Sequence, residues 1–72
     1  MMKTFYQYMM RYRGAKNTDK AYSLAEWMFY DHDFPKQSTD YDELSRYLEW
    51  TAPFPEALQT FDRLWDEYKI NA

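Results

Sequence analysis

Cysteine is absent, so neither a disulfide framework nor a thiolate metal site can brace this chain of 72 residues. Glycine occurs once, at Gly14, which excludes the glycine-rich loops that cradle phosphate groups and the glycine-centred loop of an EF-hand. Histidine also occurs once, at His32. Long apolar runs are missing too. Gln7, Arg11 and Arg13 interrupt the opening segment too early for a signal peptide, and no stretch approaches the ~20 apolar residues of a membrane span. These absences predict a cytoplasmic protein with no membrane association and no cofactor. Strand alternation, internal repeats and low-complexity tracts are also lacking.

Aromatic volume is what the chain has in quantity. Aromatic residues make up 22% of it, Trp27, Trp50 and Trp65 among them. Each large ring can bury roughly 150 to 250 Å², so a core is attainable in a chain short enough to bury only about 60% of its unfolded surface. The length admits one domain, spanning residues 1–72. Net charge is −3 but unevenly spread: residues 1–20 carry five basic side chains against Asp19 alone, and residues 21–72 carry four against eleven acidic ones. That polarity bears on partners rather than on fold.

Periodicity predicts four helices. The first runs from about Thr4 to Arg13, with Phe5, Tyr8, Met9 and Tyr12 on one stripe. Gly14 suits a left-handed cap, and Arg11 and Arg13 complement the negative end of the helix dipole. After the loop Ala15, Lys16, Asn17, capping candidates Thr18 and Asp19 open a second helix with Ala21, Leu24, Ala25, Met28 and His32 on one face. Its phase leaves Tyr30 exposed and Trp27 half covered. Phe34 before Pro35 is biased away from helical geometry and closes this segment near Asp33. Ser38, Thr39 and Asp40 are alternative caps for a third helix, and Asp40 with Glu43 has the spacing of a capping box. That helix covers about Tyr41 to Glu49, with Tyr41, Leu44 and Leu48 inward. Pro53 and Pro55 form a rigid turn around Phe54. The fourth helix, about Pro55 to Lys69, carries the core through Phe54, Leu58, Phe61, Trp65 and Tyr68. The expected fold class is all-α, a single compact four-helix domain.

Chemistry, if present, would concentrate between Asp31 and Asp40. Adjacent helical positions point about 100° apart, so His32 cannot converge with Asp31 and Asp33 on one metal ion. Its phase predicts a partly buried imidazole beside the central turn. Asp31, Asp33, Asp40, Asp42 and Glu43 lack the alternating ligands of a calcium loop, and capping accounts for Asp40 and Glu43. Ser38 and Ser45 have only His32 to serve as base and nothing to orient it. No catalytic, cofactor-binding or metal-ligating residue is therefore assigned, and the chain is expected not to be an enzyme.

Two binding readings remain. Lys3, Arg11, Arg13, Lys16 and Lys20 can contact phosphates, and Tyr6 and Met10, placed by phase on the outer side of the first helix, can stack on bases. A solvated, dipole-matched helix face explains the same arginines, and the overall acidity opposes nucleic acid. Protein association, with a partner or with itself, is favoured: the basic start and acidic remainder offer complementary surfaces, and Trp27, Tyr30 and Trp50 are residue types enriched at binding hot spots.

Several blocks carry a family resemblance. Phe5 and Tyr6, Tyr12 and Arg13, the run Asp31, His32, Asp33, Phe34, Pro35, Lys36, and the run Ser38, Thr39, Asp40, Tyr41 are joined by Glu43, Leu44, Ser45, then Tyr47, Leu48, Glu49, and finally Phe61, Asp62, Trp65 and Tyr68. Together they resemble the YozE family, short bacterial proteins mostly from Gram-positive bacteria of the Bacillus and Lactobacillus type. The resemblance spans nearly the whole chain. It implies a compact four-helix fold similar to the sterile alpha motif (SAM), whose domains associate through heterologous pairing of complementary surfaces. It implies no established activity and no catalytic or ligand residues.

Overall fold

The computed structural model describes residues 3–14 and 19–71. Helix α1, Phe5–Met9, is opened by Thr4, whose Oγ1 accepts from the Gln7 N–H at 3.1 Å while Gln7 Oε1 accepts from the Thr4 N–H at 3.0 Å. That reciprocal capping box satisfies two donors left over by the helix start. The winding then tightens to a 3-10 turn at Met10–Tyr12, and Arg13 is already extended (φ −72°, ψ 143°). The α-helix is thus shorter than the apolar stripe predicts. Gly14 takes the expected left-handed conformation, φ 85°, one residue beyond the break.

Helix α2, Lys20–Tyr30, is capped by Asp19, which accepts from the Ala21 N–H at 3.1 Å. Ala21, Leu24, Ala25 and Met28 are buried on the predicted face. The helix stops short of Asp33, because Asp31 turns out of helical geometry (φ −86°, ψ 109°). Its carboxylate accepts from the Asp33 N–H at 3.3 Å and from the Tyr47 hydroxyl at 2.5 Å, and such local bonding competes with helix continuation. His32 therefore lies beyond the helix and is exposed. The expected partly buried imidazole is overturned, since the phase that would have placed it beside Leu24 and Met28 no longer applies. Ala15, Lys16, Asn17 and Thr18 lie outside the described residues.

Helix α3, Tyr41–Thr51, starts at the predicted cap: Asp40 Oδ2 accepts from the Glu43 N–H at 3.2 Å. The Asp40 N–H donates to Ser38 Oγ at 3.1 Å rather than closing a box with Glu43. The helix outruns Glu49 and ends at Ala52, which is left-handed (φ 42°, ψ 62°) and donates its N–H to the Leu48 carbonyl. Helix α4, Ala57–Asn71, begins two residues after Pro55 and buries Ala57, Thr60, Phe61, Leu64, Trp65 and Tyr68. Phe54 and Leu58, predicted on its inner stripe, are only partly covered. No strand occurs among the described residues.

Two aromatic junctions hold the helices together within one buried cluster. In the first, Phe5 sits 5.1 Å from Phe61, 5.5 Å from Trp65 and 5.6 Å from Tyr68 between ring centroids. Edge-on and tilted packing of this kind matches positive ring edges to negative faces. The Tyr68 hydroxyl donates to the Lys3 carbonyl, and the hydroxyls of Tyr8 and Tyr12 donate to Glu67 at 3.3 and 2.7 Å, so α1 is fastened to α4. Burial and the hydrogen bond to Glu67 push the Tyr12 phenol well above its ordinary pKa. In the second junction Phe34, 4% exposed, lies 6.1 Å from Trp27, 5.7 Å from Tyr47 and 6.1 Å from Tyr6. Phe34 thereby anchors the central turn between α2 and α3.

Candidate interaction surface

Helix α3 buries Leu44 and Leu48. Its neighbouring stripe, Glu43, Arg46, Tyr47 and Trp50, repeats at i, i+3, i+4 and i+7 and lies along the flank that faces the central turn. The central turn contributes Asp33 and Pro35, and the α3 cap Asp40 completes the lining. Between them is an open surface cleft of about 580 Å³. Trp50 is 86% exposed at this cleft, the largest exposure among the big apolar side chains of the described residues.

Tyr47 makes the cleft rigid. Its ring lies 6.2 Å from Trp27 and edge-on to Phe34, and its hydroxyl donates to Asp31. Burial and then the bond to Asp31 push the phenol up to about 12, so Tyr47 is a neutral donor at physiological pH. Asp40 is held by its capping bond to Glu43. The lining carries three carboxylates, Asp33, Asp40 and Glu43, against one guanidinium, Arg46.

A more apolar groove of about 460 Å³ lies at the other end of α3, lined by Leu48, Glu49, Ala52, Pro53, Phe54, Pro55, Ala57 and Leu58. A third recess of about 410 Å³ is bounded by Tyr41, Asp62, Trp65, Asp66 and Lys69, but there Asp62 already accepts from the Tyr41 hydroxyl at 2.6 Å. That bond raises the Tyr41 pKa.

Among the described residues, two of the basic candidates, Arg13 and Lys20, are engaged with carboxylates of the same chain. Arg13 Nε donates to Glu26 Oε2 at 2.6 Å, which raises the guanidinium pKa, while its Cζ lies 3.5 Å from the Phe29 ring and 5.8 Å from the Tyr30 ring. Lys20 pairs with Glu56 at 3.4 Å. Arg11 is exposed and lies 4.1 Å from the Tyr8 ring centroid. Lys3 is exposed, and Lys16 lies outside the described residues. Tyr6 and Met10 are partly buried against the core rather than presented outward for stacking. The aromatic Tyr6 is drawn in by Phe34 and covered by Lys36, whose Nζ is 5.3 Å from its ring.

Of the aromatic candidates, Tyr30 is exposed and Trp27 half-buried, as their phases predict, and Trp50 stands out furthest. Sequence reasoning missed Glu43, Arg46 and Tyr47 as its companions. The signal was available as a second helical stripe beside Leu44 and Leu48, but nothing local says that Asp33 and Pro35 face it. Among the described residues no three His, Asp or Glu side chains converge as a metal site, and no helix is long and apolar enough to cross a membrane.

Residues 4–70 match the family described as YozE SAM-like fold. Among curated relatives, the UPF0346 protein YozE of Bacillus subtilis (strain 168) is 46% identical over 68 residues, covering 94% of this chain and 92% of that protein. The UPF0346 protein YuiB of Lactococcus lactis subsp. lactis (strain IL1403) is 51% identical over 65 residues, covering 90% and 94% respectively. The UPF0346 protein RBAM_019500 of Bacillus velezensis is 47% identical over 68 residues, covering 94% and 92%. No solved structure matches.

Proposed function

The chain belongs to the YozE SAM-like family, with the four-helix SAM-like fold that its name describes, and from that premise we propose that it works as a non-catalytic protein-interaction module in the cytoplasm. The contact surface is the cleft beside Trp50. The carrying observation is the 86% exposure of that indole next to a wall of fixed aromatic and acidic side chains. Scattered apolar exposure is ordinary on small proteins. Here, however, the exposed ring lines the same cleft as Tyr47, whose own position is already set by Phe34 and Asp31, so that part of the wall has little side-chain entropy left to lose on binding. Tryptophan in a rigid surround is the usual composition of a hot spot. Of the two faces that charge patterning suggests, the acidic one supports this reading better, since Arg13 and Lys20 are engaged with carboxylates of their own chain.

Site-specific photo-crosslinking tests the proposal. A benzophenone side chain replacing exposed Arg46 in the host cell is expected to form a discrete protein adduct, while the same group at exposed Gln59 on α4 forms none. Trp50→Ala should reduce the adduct several-fold without altering the circular dichroism. No adduct from position 46, or equal adducts from both positions, sinks the reading. Nucleic-acid binding retains one supporting observation, the exposed Arg11 whose guanidinium lies over Tyr8 rather than against a carboxylate. A flat fluorescence titration with DNA and RNA at low salt eliminates it.

A further inference from the structure

We infer that the Trp50 cleft receives a linear cationic segment of a partner protein, its arginine or lysine side chains shared between the carboxylates of Asp33, Asp40 and Glu43 and the indole face. This inference rests on the interaction reading above and names the chemistry of the partner. Charge complementarity carries it. Among the described residues neither Asp33 nor Glu43 engages its carboxylate in an ion pair, and Arg46, three residues along the helix from Glu43, makes no pair with it. One oxygen of Asp40 caps α3, and the other is left to accept. The lining is therefore net negative and repels an acidic segment. A purely apolar segment would strip water from three carboxylates and return nothing for it.

A long basic side chain answers both demands. Its methylene stem can lie along Pro35 and the Trp50 ring while its head makes charge-assisted hydrogen bonds to the carboxylates and sits over an aromatic face. The molecule already uses this arrangement internally: Arg13 lies 3.5 Å from the Phe29 ring while donating to Glu26. The recess around Asp62 and Asp66 offers no equivalent, because its indole, Trp65, is only 9% exposed where Trp50 is 86% exposed.

Titration of the isotopically labelled protein with a peptide of alternating arginine and serine, followed by NMR, is the test. Saturable shifts are expected at the Trp50 indole N–H and at the Glu43 amide. Glu43→Gln and Trp50→Ala should each weaken binding by about five-fold, the scale of one charge-assisted or cation–π contact. Asp66→Asn, which removes an equal charge in the other recess, should leave affinity unchanged. Equal binding of the matching glutamate and serine peptide overturns the inference, as does an Asp66→Asn loss as large as that of Glu43→Gln, because general attraction to an acidic protein would then explain the data. A concentration-dependent dimer lost on Arg11→Ser overturns the assignment to a separate partner, because a second copy then supplies the cation. These failures leave the crosslinking result standing; a missing adduct from position 46 defeats the interaction reading itself.

Discussion

Tyr47 joins the second aromatic junction to the cleft, and its hydroxyl ties α3 to the residue at which α2 ends. Replacing it with phenylalanine keeps the ring and removes that bond, leaving Asp31 with one donor fewer. Tyr47→Phe is expected to cost about 1 kcal/mol at pH 8, read from the urea midpoint. The pH dependence follows from the same group. Its folded pKa is about 12 against 10.0 for a free phenol, so between those values the unfolded chain gives up the proton that the folded one keeps. Its stabilising contribution is complete below pH 10 and disappears as pH rises through 12. Stability of the parent protein should fall over that window, and less steeply in Tyr47→Phe. Tyr12, Tyr41 and Tyr68 are shifted the same way, so part of the slope should persist. Single side chains were unevenly legible in the sequence. The exposure of Tyr30 follows from helical phase alone, but that of His32 depends on Asp31 being bound by Tyr47, a partner sixteen residues away.

At the level of elements, the end of α3 shows what local pattern conveys and what it omits. Gly14 announces its left-handed conformation, whereas Ala52 adopts one with nothing in its chemistry to signal it. An L-residue with a Cβ is crowded by the following carbonyl there, at a cost of roughly 1 to 2 kcal/mol. Pro53 follows at once and cannot continue the helix, so the chain reverses at Ala52 despite the strain. Ala52→Gly relieves that crowding but adds freedom to the unfolded chain. The net expectation is a gain of about 0.5 to 1 kcal/mol, seen as a higher urea midpoint with an unchanged slope; a loss would mean that the left-handed geometry is absent in solution. The caps at Asp19 and Asp40 were readable because capping is a contact within three residues. Thr4 with Gln7 has the same short-range signature at the start of α1.

Across the whole molecule, folding rearranges the charge that sequence order seems to segregate. Basic residues of the first twenty meet acidic residues from later in the chain, Arg13 with Glu26 and Lys20 with Glu56, while Arg63 reaches back to Asp19. Part of the sequence polarity is therefore neutralised by pairs within the chain, and the cleft has to be found from topology. Its two walls come from the central turn and α3, each readable alone, and it takes the packing of Phe34 and the bond between Tyr47 and Asp31 to join them. The four-helix architecture was legible because its stripes needed no such coincidence. Cooperativity should follow from the way the chain ends are joined. Phe5, fully buried, packs against Phe61, Trp65 and Tyr68 from the opposite end of the sequence. Phe5→Ala should cost about 3 to 5 kcal/mol, a large share of the roughly 4 to 11 kcal/mol available to a chain of this length. Phe29→Ala, at a site 40% exposed, should cost less than about 1 kcal/mol. If α1 is integral to the core, far-ultraviolet circular dichroism and tryptophan fluorescence of Phe5→Ala will report one shared transition at lower urea. If the short helix merely frays, the fluorescence midpoint will stay with that of the parent while some helical signal is lost at zero denaturant.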